Sequence, residues 1–328
     1  MKTFTYERAT TLQQALTART EPGTQLLAGG TELLNWLKEG IERPERVVDI
    51  NGLPLDGIDV DDDGLRLGAL ARMSDVHAHP EVARRYPAIT ESLLRSASAQ
   101  LRNMASIGGN LLQRTRCPYF RADTALPCNK REPGSGCAAL AGGDTGAHAL
   151  FGWSPACAAT HPSDLAVALA ALDAVVVTES GRRGRRRIPV TEFHRLPQDR
   201  PELHTRLRPD ELVTGVEVPP DHGTSWYLKV RERASYEFAL VSVAVSVEVE
   251  GEVINRARLA LGSVAPRPWR LWAAEDALVG VALSDVDGLR SAVAASFEDA
   301  LPLPDNAYKI ELAQRAAVRA LRVAGGAA

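Results

Sequence analysis

The four cysteines of the chain all lie within residues 117–157, at Cys117, Cys128, Cys137 and Cys157. This segment is rich in proline and glycine and shows no sustained helical or strand period. A loop of this length is uncommon unless it is functional or disordered. Four thiolates that converge on one metal centre would order it, and an iron–sulfur cluster is the sharpest form of that hypothesis.

Other interpretations of the cysteines stay open at this stage. Their intervals lack both the close CxxC pairs of structural zinc sites and the ferredoxin run, so spacing alone selects neither metal. Disulfides would need an oxidising compartment, but residues 1–20 show no secretory hydrophobic region. Inert buried cysteines would leave their confinement to one loop unexplained. Cations outnumber anions between Arg114 and Glu132, and nearby cations favour the thiolate form.

A glycine pair near the N-terminus could bind an anion. The apolar residues before it predict a strand, and the LLNWLKEG segment after it predicts an amphipathic helix. Thr31 is the expected N-cap of that helix and Gly40 its expected C-terminal stop. A strand–Gly29-Gly30–helix turn lets the backbone approach a ligand closely and directs N–H groups at anions. The motif is neither GxGxxG nor a Walker loop, so a plain tight turn remains the alternative.

A second glycine pair, Gly108-Gly109, follows a helix predicted at about residues 87–102. Ser106 and Asn110 on either side add hydrogen-bonding side chains. Two phosphate-compatible loops in one domain fit a ligand with a pyrophosphate, although two tight turns would explain the same residues.

Ser163 and Asp164 come shortly after the cysteine segment, before the apolar run LAVALAAL. Ser163 is expected to cap a helix with Asp164 in its first turn, where a carboxylate favours the helix dipole. A buried Asp164 beside a ribose or ribityl chain is the functional alternative. His161 just before them is interpreted as structural rather than as a metal ligand.

The elements that must position these residues form an α+β pattern. Net charge is −3 and no apolar stretch is long enough for a membrane helix, so neither a nucleic-acid partner nor a membrane span is expected. The basic run 181–187 lies between two strand patterns and predicts a hairpin tip. Strands are then expected near 212–218, 225–231, 239–249 and 256–262, and helices near 269–279, 285–299 and 306–322.

Four motifs together resemble a known family. LLAGGTELL, ASIGGNLLQ, PSDLAVALAALDA and LKVRERASYEFALVSVAV are similar, in order and essentially end to end, to the FAD-binding subunit of the xanthine dehydrogenase family, the molybdenum hydroxylases. In most of that family the GGN loop leads almost directly into the SD-containing helix. Here residues 114–159 intervene and hold every cysteine. This insertion resembles that of FAD subunits with an additional 4Fe-4S cluster, and its wording is most similar to that of bacterial periplasmic-type aldehyde oxidoreductases.

The resemblance implies an α+β fold in two domains. Residues 1–220 would form the two-part FAD-binding fold of the vanillyl-alcohol oxidase type, with subdomains at about 1–57 and 58–220. The 4Fe-4S-binding insertion would span about 114–159. Residues 221–328 would form a C-terminal α+β domain of the CO dehydrogenase flavoprotein type, an antiparallel sheet plus helices.

The resemblance also implies cofactor contacts, and no catalytic acid or base is expected. Asp164 would hold the ribityl or ribose region, Leu212 and Lys229 would lie near the isoalloxazine ring, and each cysteine would ligate one iron. The residues implied to bind FAD are Leu26, Leu27, Ala28, Gly29, Gly30, Thr31, Glu32, Leu33, Ser106, Ile107, Gly108, Gly109, Asn110, Asp164, Leu212 and Lys229.

The implied function is that of an oxidoreductase subunit in a heterotrimeric, molybdenum-dependent aldehyde oxidoreductase. A large subunit with the molybdenum cofactor would oxidise the substrate, and a small subunit with 2Fe-2S clusters would carry electrons to FAD and on to an external acceptor. The chain is expected in the cytoplasm, or in the periplasm if it is exported with a partner that carries the signal. The alternatives are a self-contained FAD-dependent reductase of the same fold and a zinc-braced, non-redox binding module.

Overall fold

The computed structural model describes residues 1–327, which form three β-sheets with helices between and around them. The strands are β1 (Thr5–Arg8), β2 (Thr24–Leu27), β3 (Arg46–Asp49), β4 (Ile58–Asp61), β5 (Gly64–Gly68), β6 (Val175–Ser180), β7 (Gly184–Pro189), β8 (Glu211–Val218), β9 (Thr224–Val230), β10 (Val241–Glu250), β11 (Val253–Gly262) and β12 (Trp269–Arg270). The helices are α1 (Leu12–Arg19), α2 (Leu33–Lys38), α3 (Met73–Ala78), α4 (Pro80–Arg85), α5 (Pro87–Leu94), α6 (Ala99–Arg102), α7 (Ile107–Leu111), α8 (Pro118–Arg121), α9 (Asp164–Ala171), α10 (Val190–Phe193), α11 (Trp272–Leu278), α12 (Val286–Ala294) and α13 (Tyr308–Ala324).

The N-terminal sheet is parallel, in the order β1-β3-β2. Parallel neighbours need crossover connections, and α1 and α2 provide them. Helix α1 begins at a capping box in which Thr11 and Gln14 each accept from the other's backbone. The carboxyl end of β2 runs directly into the first glycine pair, so this small sheet fixes where that loop starts.

The middle sheet is antiparallel, in the order β4-β5-β8-β6-β7. The basic run forms the tip of the β6–β7 hairpin and continues into β7, as predicted. Arg185 and Arg187 both form ion pairs with Glu217 of β8, and Arg186 forms an ion pair with Glu211 of the same strand. The arginines therefore neutralise carboxylates of β8 rather than forming an unpaired basic patch.

The C-terminal sheet is antiparallel, in the order β12-β11-β10-β9, with α11, α12 and α13 packed on one face. Helix α9 packs on the other face and also contacts α5 and α7. Every residue of α9 is buried because it is covered on both sides, which explains its uniformly apolar sequence after Asp164. The side chain of Asp164 is thereby held at the junction of the middle and C-terminal layers.

The cysteine segment is mostly irregular, with one short helix, α8, and it is anchored on the C-terminal domain. Thr145 donates from its hydroxyl to Asp305 at 2.9 Å, and Trp153 Nε1 donates to the Leu301 carbonyl at 2.8 Å. Asn306 donates to the carbonyls of His148 and Ala149, each at 3.1 Å. The segment thus leaves the first domain and is fastened to the second.

Most predicted elements are confirmed, and two local predictions are wrong. Strands β8 to β11 and helices α11 to α13 lie where the pattern placed them. Gly40 ends α2 with φ +68°, as expected. Thr31 is not the N-cap of α2: Glu32 holds that position, without a capping hydrogen bond. The helix predicted at 87–102 is broken into α5 and α6, because Ala97 adopts a left-handed φ of 48° between them.

The predicted domain boundary at residues 220–221 falls in the connection between β8 and β9. Ala328, the last residue of the predicted C-terminal domain, lies outside the described residues. Among the described helices, none is both long enough and apolar enough to cross a bilayer.

Candidate cofactor cleft and cysteine site

The first glycine pair forms a tight loop with free backbone donors, here called the GGT loop (residues 28–32). Gly30 has φ +73°, and a Cβ on Gly29 would lie 1.7 Å from the Met104 carbonyl oxygen. No side chain larger than hydrogen fits at Gly29 without moving that backbone. Within residues 1–327, the N–H groups of Gly29, Gly30 and Thr31 donate to no protein acceptor. Consecutive free amides of this kind can bind an anion.

The second glycine pair lies in a capped helix, here called the GGN loop (residues 106–110), whose amides are already used. Ser106 caps α7 by accepting from the Gly109 amide at 3.2 Å. The Ile107 amide donates to Ala71 at 3.0 Å, and the Gly108 amide donates to Ala69 at 2.8 Å. The amides of Ile107 and Gly108 hold the loop against the residues that follow β5, and the Gly109 amide closes the cap, so none of the three is available to a phosphate.

Asp164 is the centre of a buried polar network. Its carboxylate accepts from the Tyr227 hydroxyl at 2.5 Å, from Lys229 Nζ at 2.8 Å and from the Ser96 hydroxyl at 3.0 Å. Asp164 is 5% exposed and the Lys229 side chain 1%. Burial and the adjacent carboxylate raise the pKa of Tyr227 well above its usual value, so its hydroxyl stays a donor. The network places a fixed negative group beside the cleft.

A cleft of about 330 Å³ connects these elements. Its lining includes Thr31 and Glu32 from the GGT loop, Gly109 and Asn110 from the GGN loop, and Asp164. The loop between β9 and β10 covers it with further side chains, two of them aromatic and largely exposed. The remaining lining residues are Asn35, Met73, Ser96, Ala97, Leu101, Ala105, Gln113, Arg116, Pro162, Arg233, Tyr236, Glu237 and Phe238.

The four cysteines are brought together by the irregular segment, and all four thiols are free. The backbones of Cys128 and Cys137 form an isolated antiparallel β-bridge. Burial is the main cause that raises the pKa of Cys117 and of Cys157. The thiols of Cys128 and Cys157 add to the rise at Cys117, and those of Cys137 and Cys128 add to it at Cys157, so the four lie within electrostatic range of one another. His148 Nε2 lies 3.4 Å from Cys117 Sγ.

The spacing of these thiols does not match a mononuclear metal site. In the described part of the chain, no three His, Cys, Asp or Glu side chains converge closely enough to hold one metal ion. A tetrahedral zinc site needs all four sulfurs about 2.3 Å from a single centre. A four-iron cluster takes one thiolate at each of its irons and therefore spans a wider set of cysteines.

The arginines near the cysteines do not act on the thiols as the sequence suggested. Arg114, Arg116 and Arg121 point at carboxylates of the α2 region, where they form ion pairs. The expectation that these cations favour the thiolate is therefore wrong for these three arginines, because the carboxylates neutralise them. Arg131 donates to backbone carbonyls instead. Burial instead raises the pKa of Cys117 to about 12. An apolar enclosure of this kind favours neutral thiols unless a positive centre binds them.

Two lysines in this region lack carboxylate partners: the half-buried Lys130 near the thiols, and the fully buried Lys309 beside the backbone of His148. Lys130 Nζ donates to the Pro201 carbonyl at 2.8 Å. Burial raises the pKa of Cys157, and the charge of Lys130 opposes that rise. Lys309 is 0% exposed and donates only to the carbonyls of His148 and Ser263, at 3.1 and 3.0 Å. Among the described residues, neither lysine has an acidic side chain within ion-pair distance. Burial lowers the pKa of Lys309 to about 8. An anionic centre at the thiols would compensate the charge of Lys130.

Comparison with known proteins identifies the family. The family described as "FAD binding domain in molybdopterin dehydrogenase" matches residues 2–221, and the "CO dehydrogenase flavoprotein C-terminal domain" matches residues 226–324. The chain belongs to the FAD-binding subunits of the molybdenum hydroxylases. It is thus an oxidoreductase subunit, part of a multi-subunit enzyme, and the predicted fold class is confirmed.

Individual relatives agree with this assignment. The aldehyde oxidoreductase FAD-binding subunit PaoB of Escherichia coli K12 is 49% identical over 318 residues, 96% of either chain. The carbon monoxide dehydrogenase medium chain of Hydrogenophaga pseudoflava is 28% identical and covers 94% of this chain and 92% of its own. A solved structure of carbon monoxide dehydrogenase from the same organism matches with a TM-score of 0.76 and 26% identity, over 99% of this chain and 98% of that one.

The cleft of this FAD-binding subunit suits a dinucleotide. Free amides at the GGT loop suit a pyrophosphate, and Tyr236 and Phe238 offer aromatic surface for a ring system. The carboxylate of Asp164 already accepts three hydrogen bonds from the protein and forms part of the wall.

The predicted FAD contacts divide into residues at the cleft and residues behind it. Thr31, Glu32, Gly109, Asn110 and Asp164 line the cleft. Lys229 stands behind Asp164. Leu212 is not brought to the cleft: it is 4% exposed and packs against the underside of the N-terminal sheet and α1. Gly29 and Gly30 are half-buried, next to the cleft-lining Thr31, and present their free amides there. The predicted residues that support the loops or lie in the core rather than line the cleft are Leu26, Leu27, Ala28, Leu33, Ser106, Ile107 and Gly108.

Sequence reasoning missed several lining residues. Arg233, Tyr236 and Phe238 belong to the same RERASYEF segment that carries the family resemblance, and their clustering of cations and aromatics was the available signal. Tyr236 adopts a left-handed φ of 55°, which directs the loop over the cleft. Arg116 had no local signal, because only the folded insertion brings it to the cleft.

Proposed function

We propose that this FAD-binding subunit carries a 4Fe-4S cluster on Cys117, Cys128, Cys137 and Cys157 and serves as the electron outlet of a molybdenum-dependent aldehyde oxidoreductase. Electrons that leave a molybdenum site on a large partner subunit reach this chain through 2Fe-2S clusters on a small partner. They leave it for an external acceptor. We propose that the chain reaches the periplasm by export together with a partner subunit that carries the export signal.

The observation that carries the cluster proposal is the charge imbalance at the cysteine site. Lys130 is half-buried and near the thiols, and it has no acidic partner among the described residues. Lys309 is fully buried and also lacks one, and a buried unpaired charge is costly. A cluster held by four thiolates carries net negative charge and would compensate the charge of Lys130. Disulfides would leave Lys130 uncompensated, and the thiols are not gathered around a single point as one zinc ion requires.

The chain's own residues would bind and position the two groups. The amides of Gly29, Gly30 and Thr31 would donate to phosphate oxygens. Asp164, whose carboxylate is held by Tyr227, Lys229 and Ser96, would form the wall beside the sugar or ribityl chain of the ligand. The His148 ring lies beside Cys117 and can donate an N–H to its sulfur, which stabilises the thiolate. When bound, FAD and the cluster supply two-electron and one-electron redox chemistry, which side chains alone cannot provide.

The aldehyde substrate is proposed from the E. coli relative, whose name records it. The oxidising pocket would lie on the large subunit. The described residues offer no reason to place substrate chemistry on this chain, and the cleft is the size and polarity of a cofactor site.

Anaerobic purification of the full chain tests the cofactor content. We expect about one FAD and about four iron and four acid-labile sulfide ions per chain, with a low-temperature EPR signal after dithionite reduction. Cys137→Ser should lose most of the iron, whereas Ala138→Ser, a control in the same loop, should keep it. Flavin without iron would favour the self-contained reductase, and zinc without flavin or iron would favour the binding module; either result refutes the proposal.

Co-expression with the two partner subunits tests the electron route. Adding an aldehyde under anaerobic conditions should bleach the flavin absorbance of the assembled complex, and the isolated chain should not respond. Flavin reduction by aldehyde in the isolated chain would contradict the assignment of substrate oxidation to the large subunit.

A further inference from the structure

Glu32, the residue that follows Thr31 in the GGT loop, has both carboxylate oxygens occupied by the protein. Oε1 accepts from Trp36 Nε1 at 3.0 Å, from the Arg114 amide at 3.3 Å and from Arg121 Nη2 at 2.5 Å. Oε2 accepts from Arg116 Nη2 at 2.5 Å. The side chain is 12% exposed. Glu32 therefore has little capacity left to contact FAD directly, although it lines the cleft.

Three of these four donors come from the segment that carries Cys117. Arg114 also pairs with Glu42 at 2.5 Å and lies over the Trp36 ring at 4.4 Å, and Arg121 also pairs with Glu39 at 2.8 Å. Residues 114–121 are therefore held against α2 and the GGT loop by three carboxylates. The position of the loop and the position of Cys117 are fixed by the same ion pairs.

Arg116 extends this connection across the cleft. It immediately precedes Cys117, lines the cleft, and its guanidinium lies 4.7 Å from the centre of the Phe238 ring. Phe238 belongs to the loop between β9 and β10 that covers the cleft. One arginine thus contacts the GGT loop through Glu32, the covering loop through Phe238, and the cysteine site through the adjacent peptide bond.

We propose that Glu32 and Arg116 are positioning residues that couple the cluster site to the FAD cleft. Ligation at Cys117 orders residues 114–121 and fixes Arg116 and Arg121 on Glu32. This holds the GGT amides and the covering loop in the arrangement that binds FAD. The inference rests on the proposed function, because it needs both groups on this chain. Coupling of this kind is reciprocal, so bound FAD also strengthens retention of the cluster at equilibrium.

A double-mutant cycle on the full chain tests the coupling. FAD affinity is measured by flavin fluorescence for the wild type, Cys137→Ser, Glu32→Gln and the double variant. Cys137 is the ligand to remove, because it makes no contact with Glu32 or Arg116 and lies far from them in sequence. We expect cluster loss to weaken FAD binding about tenfold in the wild-type background, within the usual range for coupled sites. In the Glu32→Gln background the same cluster loss should change the affinity less than about twofold.

Controls separate coupling from a general loss of stability. Glu81→Gln removes a carboxylate that pairs with Arg84 at the surface, and it should leave the effect of cluster loss at about tenfold. The iron retained at equilibrium against a competing chelator gives the reciprocal readout: added FAD should raise it in the wild type but not in Glu32→Gln. A residue that only stabilises the fold would change the melting temperature without removing this dependence. If Glu32→Gln does not fold, Arg116→Gln replaces it in the same cycle.

The outcomes that overturn the inference are distinct from failure of the proposed function. Equal weakening of FAD binding by Cys137→Ser in both backgrounds would show that the coupling, if any, does not pass through Glu32. No weakening in the wild-type background would show that the sites are independent. Either result leaves a chain that holds both FAD and iron. Absence of iron or of FAD from the wild type would instead refute the proposed function and this inference together.

Discussion

The GGT loop and the GGN loop contribute to the same cleft, and they use glycine for different physical reasons. In the GGT loop the amides of Gly29 to Thr31 are free, and the backbone is packed so closely that a Cβ at Gly29 would overlap the Met104 carbonyl. In the GGN loop the amides are bonded to the residues that follow β5 and to Ser106, and the glycines allow α7 to pack on β5.

This difference indicates that one loop contacts the ligand and the other supports the wall of the cleft. Free amides can bind a charged ligand, whereas amides that already have acceptors can only hold a loop in place. We therefore expect the GGT loop to determine affinity for FAD. The GGN loop, together with the Asp164 network behind it, should determine mainly whether the cleft wall is folded.

Of the substitutions that test the two loops, Gly29→Ala should have the largest effect on FAD binding. The added Cβ would lie 1.7 Å from a backbone oxygen, so the loop or the Met104 segment must move. We expect FAD binding to be abolished and the free energy of unfolding to fall by about 3 kcal/mol. Flavin titration and urea unfolding measure the two effects. Gly57→Ala, whose nearest atom is an Asp59 carboxylate oxygen at 3.5 Å, is the matched control. Normal FAD affinity in Gly29→Ala would contradict the assigned role.

Lys229→Met tests the Asp164 network, which lies behind the GGN loop in the wall of the cleft. It removes the cation from a pair with exposures of 1% and 6% and leaves the Asp164 carboxylate buried without its counter-charge. Removing one partner of a buried pair costs about 3–5 kcal/mol, which urea unfolding would detect. The double variant Asp164→Asn with Lys229→Met should recover part of that loss. If Lys229→Met alone has the same urea midpoint of unfolding as the wild type, the ion pair does not stabilise the wall of the cleft.

Gly108→Ala should separate folding from binding. Its Cβ would lie 3.0 Å from Ala69 Cβ and 3.1 Å from the Ala69 carbonyl oxygen, which is tight but not an overlap. We expect a loss of about 1–2 kcal/mol in stability, with FAD affinity changed less than threefold per folded molecule, in contrast to Gly29→Ala. Parallel denaturation and flavin titration would show it. A loss of affinity as large as that in Gly29→Ala would remove the distinction between the loops.

Ser106→Ala should have the smallest effect. It removes the N-cap of α7 and costs about 1 kcal/mol, because the Gly109 amide loses its acceptor. Ser98→Ala removes the cap of α6, which accepts from Leu101 at 3.3 Å, and provides a matched comparison. Similar thermal shifts with unchanged FAD affinity would support a structural role for Ser106. A selective loss of FAD binding in Ser106→Ala would indicate a direct contact instead.

The sequence predicted local structure better than long-range contacts. Ser163 caps α9 as expected, because the cap depends on neighbouring residues alone. Both glycine loops could be located, but their different uses depend on what packs against them: Met104 in one case and Ala69 in the other. In the sequence the cysteines look surrounded by cations. The sequence does not show that Glu32, Glu39 and Glu42, about 70 to 90 positions earlier, form ion pairs with Arg114, Arg116 and Arg121 in the folded chain.

The contacts between the cysteine segment and residues 301–309 bear on how the segment could be transferred to other proteins. Thr145, His148 and Trp153 have partners more than 140 positions later in the chain, at Asp305, Lys309 and Leu301. An engineer who grafts residues 114–159 into a flavoprotein that lacks them would carry the thiols but not these anchors. A working graft must therefore also copy a short stretch before and within α13.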